Sequence, residues 1–265
     1  MKTVIITGST RGIGYGLAKE FLAQGCQVTI CGRNEENLEK AYQKLAQQYS
    51  RENILGVTCD VSKFNDVENL WSQSINRFKK VDIWINNAGI NNPRLPVWEQ
   101  KTEDIKEIID TNLTGTIYGV KVAITQMKKQ GFGAVYLMEG SGSDGMKIKY
   151  LSLYGTTKYA IRFLKESLVK ETKDTPIIVG AISPGIVVTE LLTGQYNQTP
   201  KQQELWNKAK KTLNILADKV ETVTPYLVEK ILANEKTGVR IAWLTIPKAM
   251  KRFLCSPFNK RNLFD

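Results

Sequence analysis

Two side chains set one turn apart carry the most chemistry in this sequence. Tyr154 and Lys158, in the run Tyr154-Gly155-Thr156-Thr157-Lys158, share one face of any helix that contains them. A phenol near pKa 10 is a weak acid at neutral pH, but an ammonium ion a few ångströms away stabilises the phenolate and lowers that value. Such a pair protonates a carbonyl oxygen as hydride reaches the carbon, or takes the proton back in the reverse direction. Ser141 and Ser143 lie thirteen and eleven residues upstream, where a hydroxyl would hold that oxygen. Asn112 interrupts a helical pattern with a residue of low helix propensity. It is either a solvent-facing polar residue or a side chain that props a local kink and orders a water feeding Lys158. Histidine is absent. That removes Ser-His-Asp hydrolases, Cys-His proteases and His-ligated zinc or haem sites, and the cysteine spacing suits no metal.

A second group of residues is suited to phosphate. Gly8, Ser9, Thr10, Arg11, Gly12, Ile13 and Gly14 follow an apolar β-branched run and precede a helical pattern. A pyrophosphate approaches backbone closely only where Cβ atoms are missing, and a helix N-terminus offers unpaired N–H groups and a positive dipole end. The end of the next apolar run discriminates between dinucleotides. An acid there would bind the ribose hydroxyl of NAD, but the sequence reads Cys31-Gly32-Arg33-Asn34. Arg33 and Arg11 are placed to clamp a ribose phosphate, so NADP(H) is expected in preference to NAD(H).

These residues need a scaffold, and the apolar pattern supplies one. Strands are expected at 4–6, 27–31, 54–58, 81–85, 134–138, 177–182 and 239–244. Between them, helical spacing runs from 13 to the stop at Gly25, over 35–49, 67–78 and 154–172, and as one long helix over 105–127. A further helix is expected at 225–232. Alternation of this kind predicts a single-domain α/β fold over residues 1–265: a doubly wound parallel sheet of the Rossmann type, with helices on both faces. Residues 190–216 are polar and Gln/Asn/Lys-rich, and are expected to form a loop-helix lid.

Bulk properties agree. The 265 residues are 42% apolar, enough for a sizeable core, and carry a net charge of +11, which attracts anions. Cys26, Cys31 and Cys59 lie in or beside apolar runs, as buried free thiols would, so a reducing cytoplasm is expected. The start MKTVIITGST enters a strand at once, leaving no room for a leader, and no run of 18 apolar residues exists.

Taken together, Gly8–Gly14, Cys59-Asp60-Val61, Asn86-Asn87-Ala88-Gly89, Asn112, Tyr154/Lys158 and Ser183-Pro184-Gly185 with Thr189 resemble the short-chain dehydrogenase/reductase family. The resemblance implies a nicotinamide cofactor and a Ser–Tyr–Lys–Asn tetrad, with the serine at 141 by the usual spacing. It places Asp60 and Val61 at the adenine and Asn87, Ala88 and Gly89 along the cofactor. Pro184, Gly185, Ile186 and Thr189 would meet the nicotinamide end, and Lys158 the nicotinamide ribose. A closer resemblance covers roughly the last half of the chain. Met138-Glu139-Gly140-Ser141-Gly142-Ser143 is similar to the Met-Asp-Gly-Ala-Gly-Ser of chlorophyll(ide) b reductases, in which the serine falls at 143. The stretches 183–192 and 238–247 and the basic tail are similar to the same group. This implies NADPH-dependent reduction of a formyl group on a chlorin ring to hydroxymethyl. The alternatives are another apolar alcohol or ketone, steroid-like or long-chain, and a non-catalytic NADP-binding scaffold.

Leu191, Leu192, Tyr196, Trp206 and Leu213 in the lid suggest an apolar carbonyl substrate. The tail over 248–265, with Lys248, Lys251, Arg252, Lys260 and Arg261 among apolar residues, either packs over the core or docks on an anionic lipid or pigment-protein surface. No nucleic-acid-binding module is recognisable. The family resemblance implies a homodimer or homotetramer.

Overall fold

The computed structural model describes residues 1–194, 200–258 and 261–264, with Lys201 described for its backbone alone. The predicted positions Tyr196, Lys260 and Asp265 lie outside these.

Strand β1 (Thr3–Ile6) leads into α1 (Gly12–Ala23), and β2 (Gln27–Gly32) into α2 (Glu35–Ala46). Then come β3 (Ile54–Thr58), α3 (Phe64–Phe78), β4 (Ile83–Asn86), α4 (Thr102–Ile109) and α5 (Gly115–Gln130). They are followed by β5 (Gly133–Met138), α6 (Ser152–Glu171) and β6 (Ile177–Ser183). The last part holds α7 (Glu190–Thr193), α8 (Pro200–Leu216), α9 (Val220–Leu232), β7 (Arg240–Ala242) and α10 (Ile246–Cys255). The seven strands form one parallel sheet in the order β3-β2-β1-β4-β5-β6-β7. Both faces are buried, and successive residues of β1 show it: Val4 and Ile6 pack with α1, α2 and α9, while Ile5 between them packs with α3, α5 and α6. Chain order reverses between β1 and β4, so a crevice opens at their carboxyl ends, where doubly wound folds bind ligands.

The structure departs from the expected elements in three places. The long helix over 105–127 is two helices joined by a π-turn at Asp110–Thr114. Asn112, a residue of low helix propensity, is the trace of that π-turn in the sequence. Helix α9 starts at Val220, leaving Pro225 in its second turn. The last strand is only three residues long, because Thr245 caps α10 by accepting from the N–H of Lys248 and Pro247 sits in that helix's first turn. Cys26, Cys31 and Cys59 are buried free thiols, and Cys255 is exposed. Among the described residues, no helix is long and apolar enough to cross a membrane and no cluster suits a metal ion.

Candidate active site

The crevice is a cleft of about 600 Å³. Its floor at one end is the turn after β1. Gly8 adopts φ 62°, and a Cβ there would lie 2.8 Å from Ala88 Cα, so only glycine lets β1 and the segment after β4 close together. Asn87 locks that closure: its Nδ2 donates to the carbonyls of Thr7 (2.8 Å) and Gly8 (3.0 Å). Thr7 Oγ1 accepts from the backbone N–H of both Asn87 and Ala88, each at 3.0 Å. Arg11, at the N-cap of α1, provides no side-chain acceptor for the amides of the first turn. Uncapped amides at a glycine-lined helix start fit a pyrophosphate.

Thr10, Arg11, Gly12, Ile13, Gly14, Arg33, Val61, Asn87, Ala88, Gly89, Pro184, Gly185, Ile186 and Thr189 all line the cleft. Three other candidates are turned away from it. Ser9 is fully buried, donating to the Ile6 carbonyl (2.7 Å) and accepting from the Cys31 N–H (2.9 Å), so it ties β1 to β2. The Asp60 carboxylate accepts from the N–H and hydroxyl of Ser62, closing a local turn. Ser143 is buried off the cleft, whereas Ser141 is exposed on its wall. Both arginines already hold carboxylates: Arg33 donates to Glu107 (2.8 Å) and Arg11 to Glu190 (2.5 Å). These pairs are solvent-exposed and worth at most about 1 kcal/mol, so a phosphate can displace them.

At the other end of the cleft stand the phenol and the amine. Helix α6 begins at Ser152, and Asn92 Oδ1 accepts from the Tyr154 N–H (3.1 Å), fixing the helix start to the loop after β4. Gly140 presses against the phenol: a Cβ there would strike the Tyr154 hydroxyl. Lys158 is buried one turn on, donating from Nζ to the Met138 carbonyl (3.1 Å), with Nζ 5.6 Å from the centre of the Tyr154 ring. Burial pushes the Tyr154 phenol above its ordinary value. Burial also lowers the Lys158 ammonium to about 8, with the Glu139 carboxylate opposing that fall. Burial therefore sets the net direction of the Tyr154 shift, above the ordinary phenol value, with the Lys158 ammonium beside the ring. One N–H of the amine is held by a backbone carbonyl, leaving two further donors beside the phenol, and desolvation dominates both groups.

Asn112 is fully buried, so it is not a solvent-facing residue. Its Oδ1 accepts from the Ile90 N–H (2.8 Å), and its Nδ2 donates to the Ile90 carbonyl (2.9 Å) and to Thr157 Oγ1 (3.2 Å). One side chain thus pins the π-turn, the segment after β4 and α6, the three elements around Lys158. Glu139 carried no role in the sequence reading beyond its place in a motif. Its side chain is 1% exposed, accepts from Arg240 Nε (2.6 Å) and keeps Oε1 without a partner among the described residues. The partner lies 101 residues away on β7, and a separation of that size leaves no local signal.

The lid is narrower than expected. Leu191 and Leu192 line the cleft, but Trp206 packs edge-on against Phe264 (5.1 Å between ring centres) and Leu213 is buried away from the cleft. Helix α8 is thus fastened to the C-terminal arm.

Residues 2–200 match the family described as short chain dehydrogenase. The chain belongs to that family. Its doubly wound parallel sheet is a Rossmann fold. It is 38% identical, over 89% of its length, to "Chlorophyll(ide) b reductase NOL, chloroplastic" of Arabidopsis thaliana, and 39% identical, over 87%, to the protein of the same name from Oryza sativa subsp. japonica. It is 33% identical, over its whole length, to the Arabidopsis "Probable chlorophyll(ide) b reductase NYC1, chloroplastic". The chain spans 66% of the first two relatives and 55% of the third. Among solved structures, the one titled "ElxO with NADP Bound" superposes with a TM-score of 0.77 at 30% identity, over 91% of this chain and 96% of that one.

Proposed function

We propose that the protein is an NADPH-dependent carbonyl reductase whose substrate is the formyl group of a chlorin, chlorophyllide b being the compound its similarity favours. The observation that carries the reductase reading is the Tyr154 hydroxyl against Gly140 with Lys158 buried beside it, in the same cleft as the uncapped glycine turn. Similarity to chlorophyll(ide) b reductases across nearly nine-tenths of the chain supports the chlorin, and Leu191 and Leu192 offer it apolar surface.

A reduced nicotinamide held along the glycine turn and Gly185–Thr189 would supply the hydride. Tyr154 supplies the proton to the carbonyl oxygen, and a phenol kept protonated by burial is in the right state to do so. Ser141 donates a hydrogen bond to the same oxygen and orients it. Lys158 would hold the ribose of the dinucleotide, and it places positive charge beside the phenol. Asn112 keeps the backbone around that amine in place.

The decisive assay compares chlorophyllide b with simple aldehydes, using NADPH and NADH. Chlorophyllide b and NADPH should give the highest kcat/KM, yielding the hydroxymethyl product. Arg33→Ala should raise the KM for NADPH about 10- to 100-fold while barely affecting NADH, the loss expected for a charge-assisted hydrogen bond to the 2′-phosphate. Turnover of aldehydes but not of the pigment would move the substrate elsewhere; tight dinucleotide binding without turnover of any carbonyl would restore the scaffold reading. The two serines separate cleanly. Ser141→Ala should lower kcat about 100-fold, as loss of one donor to a developing oxyanion does, and Ser143→Ala should leave kcat within a few-fold. The reverse order in steady-state rates would hand the role to Ser143.

A further inference from the structure

The C-terminal arm carries an amphipathic helix with its apolar side facing outwards. On α10, Ile246, Met250, Phe253 and Leu254 recur at helical spacing on one stripe. Ordinarily such a stripe lies on the core. Here Ile246 is 78%, Met250 60% and Leu254 75% exposed, and Phe258 just beyond the helix is 92% exposed. The cationic side is the one that meets the protein. Arg252 donates to the Leu216 carbonyl (2.9 Å) and pairs with Asp218 (2.8 Å). Arg261 pairs with Asp218 as well (2.7 Å), and Lys248 lies over the Trp243 ring. The helix is therefore held in this orientation by ion pairs, and its apolar stripe stays outside.

We infer that α10 and Phe258 form a docking surface for an anionic lipid bilayer. Ile246, Met250, Leu254 and Phe258 enter the headgroup–acyl boundary, and Lys251 at the flank of the stripe meets lipid phosphate. Charge selects this partner. Between Glu235 and Asp265 the sequence has seven Lys or Arg and no Asp or Glu; Arg240, Arg252 and Arg261 are paired with Glu139 and Asp218, and the remaining cations leave the arm net positive on a chain of net charge +11. Two copies of the chain meeting through this helix would bring like charges together, whereas an anionic surface attracts them. An in-plane helix of this kind buries its apolar stripe a few ångströms deep while its cations stay at the headgroups.

The test is sedimentation of the full chain with vesicles of phosphatidylcholine alone or mixed with phosphatidylglycerol, without pigment, so that its outcome is independent of the substrate assay. The protein should pellet with the mixed vesicles, be partly released by high salt and bind the neutral ones far less. A variant with Ile246→Ser, Met250→Ser, Leu254→Ser and Phe258→Ser should partition at least about tenfold more weakly while retaining turnover of a water-soluble aldehyde. Lys251→Glu should weaken the salt-sensitive part. Failure of the parent protein to pellet with anionic vesicles, or equal pelleting by the fourfold variant, overturns the inference. So does wild-type self-association that the fourfold variant abolishes, which would make a second copy the partner.

Discussion

Tyr154→Phe should abolish reduction while leaving the fold and dinucleotide binding intact. The phenol oxygen makes no hydrogen bond among the described residues, so its removal strands no partner. Tyr154 lines the cleft, so the melting temperature should hold. The ring remains, so Gly140 keeps its neighbour. What disappears is the proton donor, and kcat should fall about 1,000-fold, within the span known for general acids. Dinucleotide binding by fluorescence titration should change less than about threefold. Retention of a tenth or more of the parent kcat would remove Tyr154 from the chemistry and with it the reductase mechanism.

Lys158→Met should also cost at least about 100-fold in kcat, and it should make the protein more stable. With the ammonium lowered to about 8 in the fold, against an ordinary value near 10.5, the folded protein binds the proton more weakly than the unfolded chain does. Below pH 8 both states are protonated and the burial penalty is complete, about 3 kcal/mol for a shift of this size. Between 8 and 10.5 the folded state releases the proton first, so wild-type stability from this group rises with pH. Above 10.5 the penalty is gone. Losing the hydrogen bond to Met138 offsets about 1 kcal/mol of the gain. At pH 7 the variant should therefore melt a few degrees higher than the parent, and the gap should close as pH approaches 10.5. A gap that is constant across this range would mean that Lys158 is not held below its ordinary value.

What could be read in the sequence was whatever depends on short spacing. The glycine turn, the pairing of Tyr154 with Lys158 and the alternation of strand and helix are all local patterns, and a doubly wound parallel sheet follows from them by the handedness of crossovers. Asn112 was visible as an anomaly, but its partners were not, because Ile90 and Thr157 belong to other elements. Arg11 and Arg33 were read as phosphate ligands without the carboxylates they now hold, since Glu190 and Glu107 come to them only through the fold. Periodicity marks a helix as two-sided but says nothing about which side meets the core. Trp206 was misjudged for that reason, since it packs against Phe264 of the tail, and the orientation of α10, with its apolar residues facing away, could not be read.

Asp218 has a mechanical consequence. Its backbone N–H donates to the Ile186 carbonyl and its own carbonyl accepts from Val188, so it is stitched into the chain that walls the cleft. Its carboxylate is almost wholly buried and takes Trp243, Arg252 and Arg261 from the arm. Peeling the arm away would strand that charge without partners, a penalty of several kcal/mol. Arm and wall consequently behave as one lever, and a pull on the last turn of the chain is felt beside the catalytic cleft.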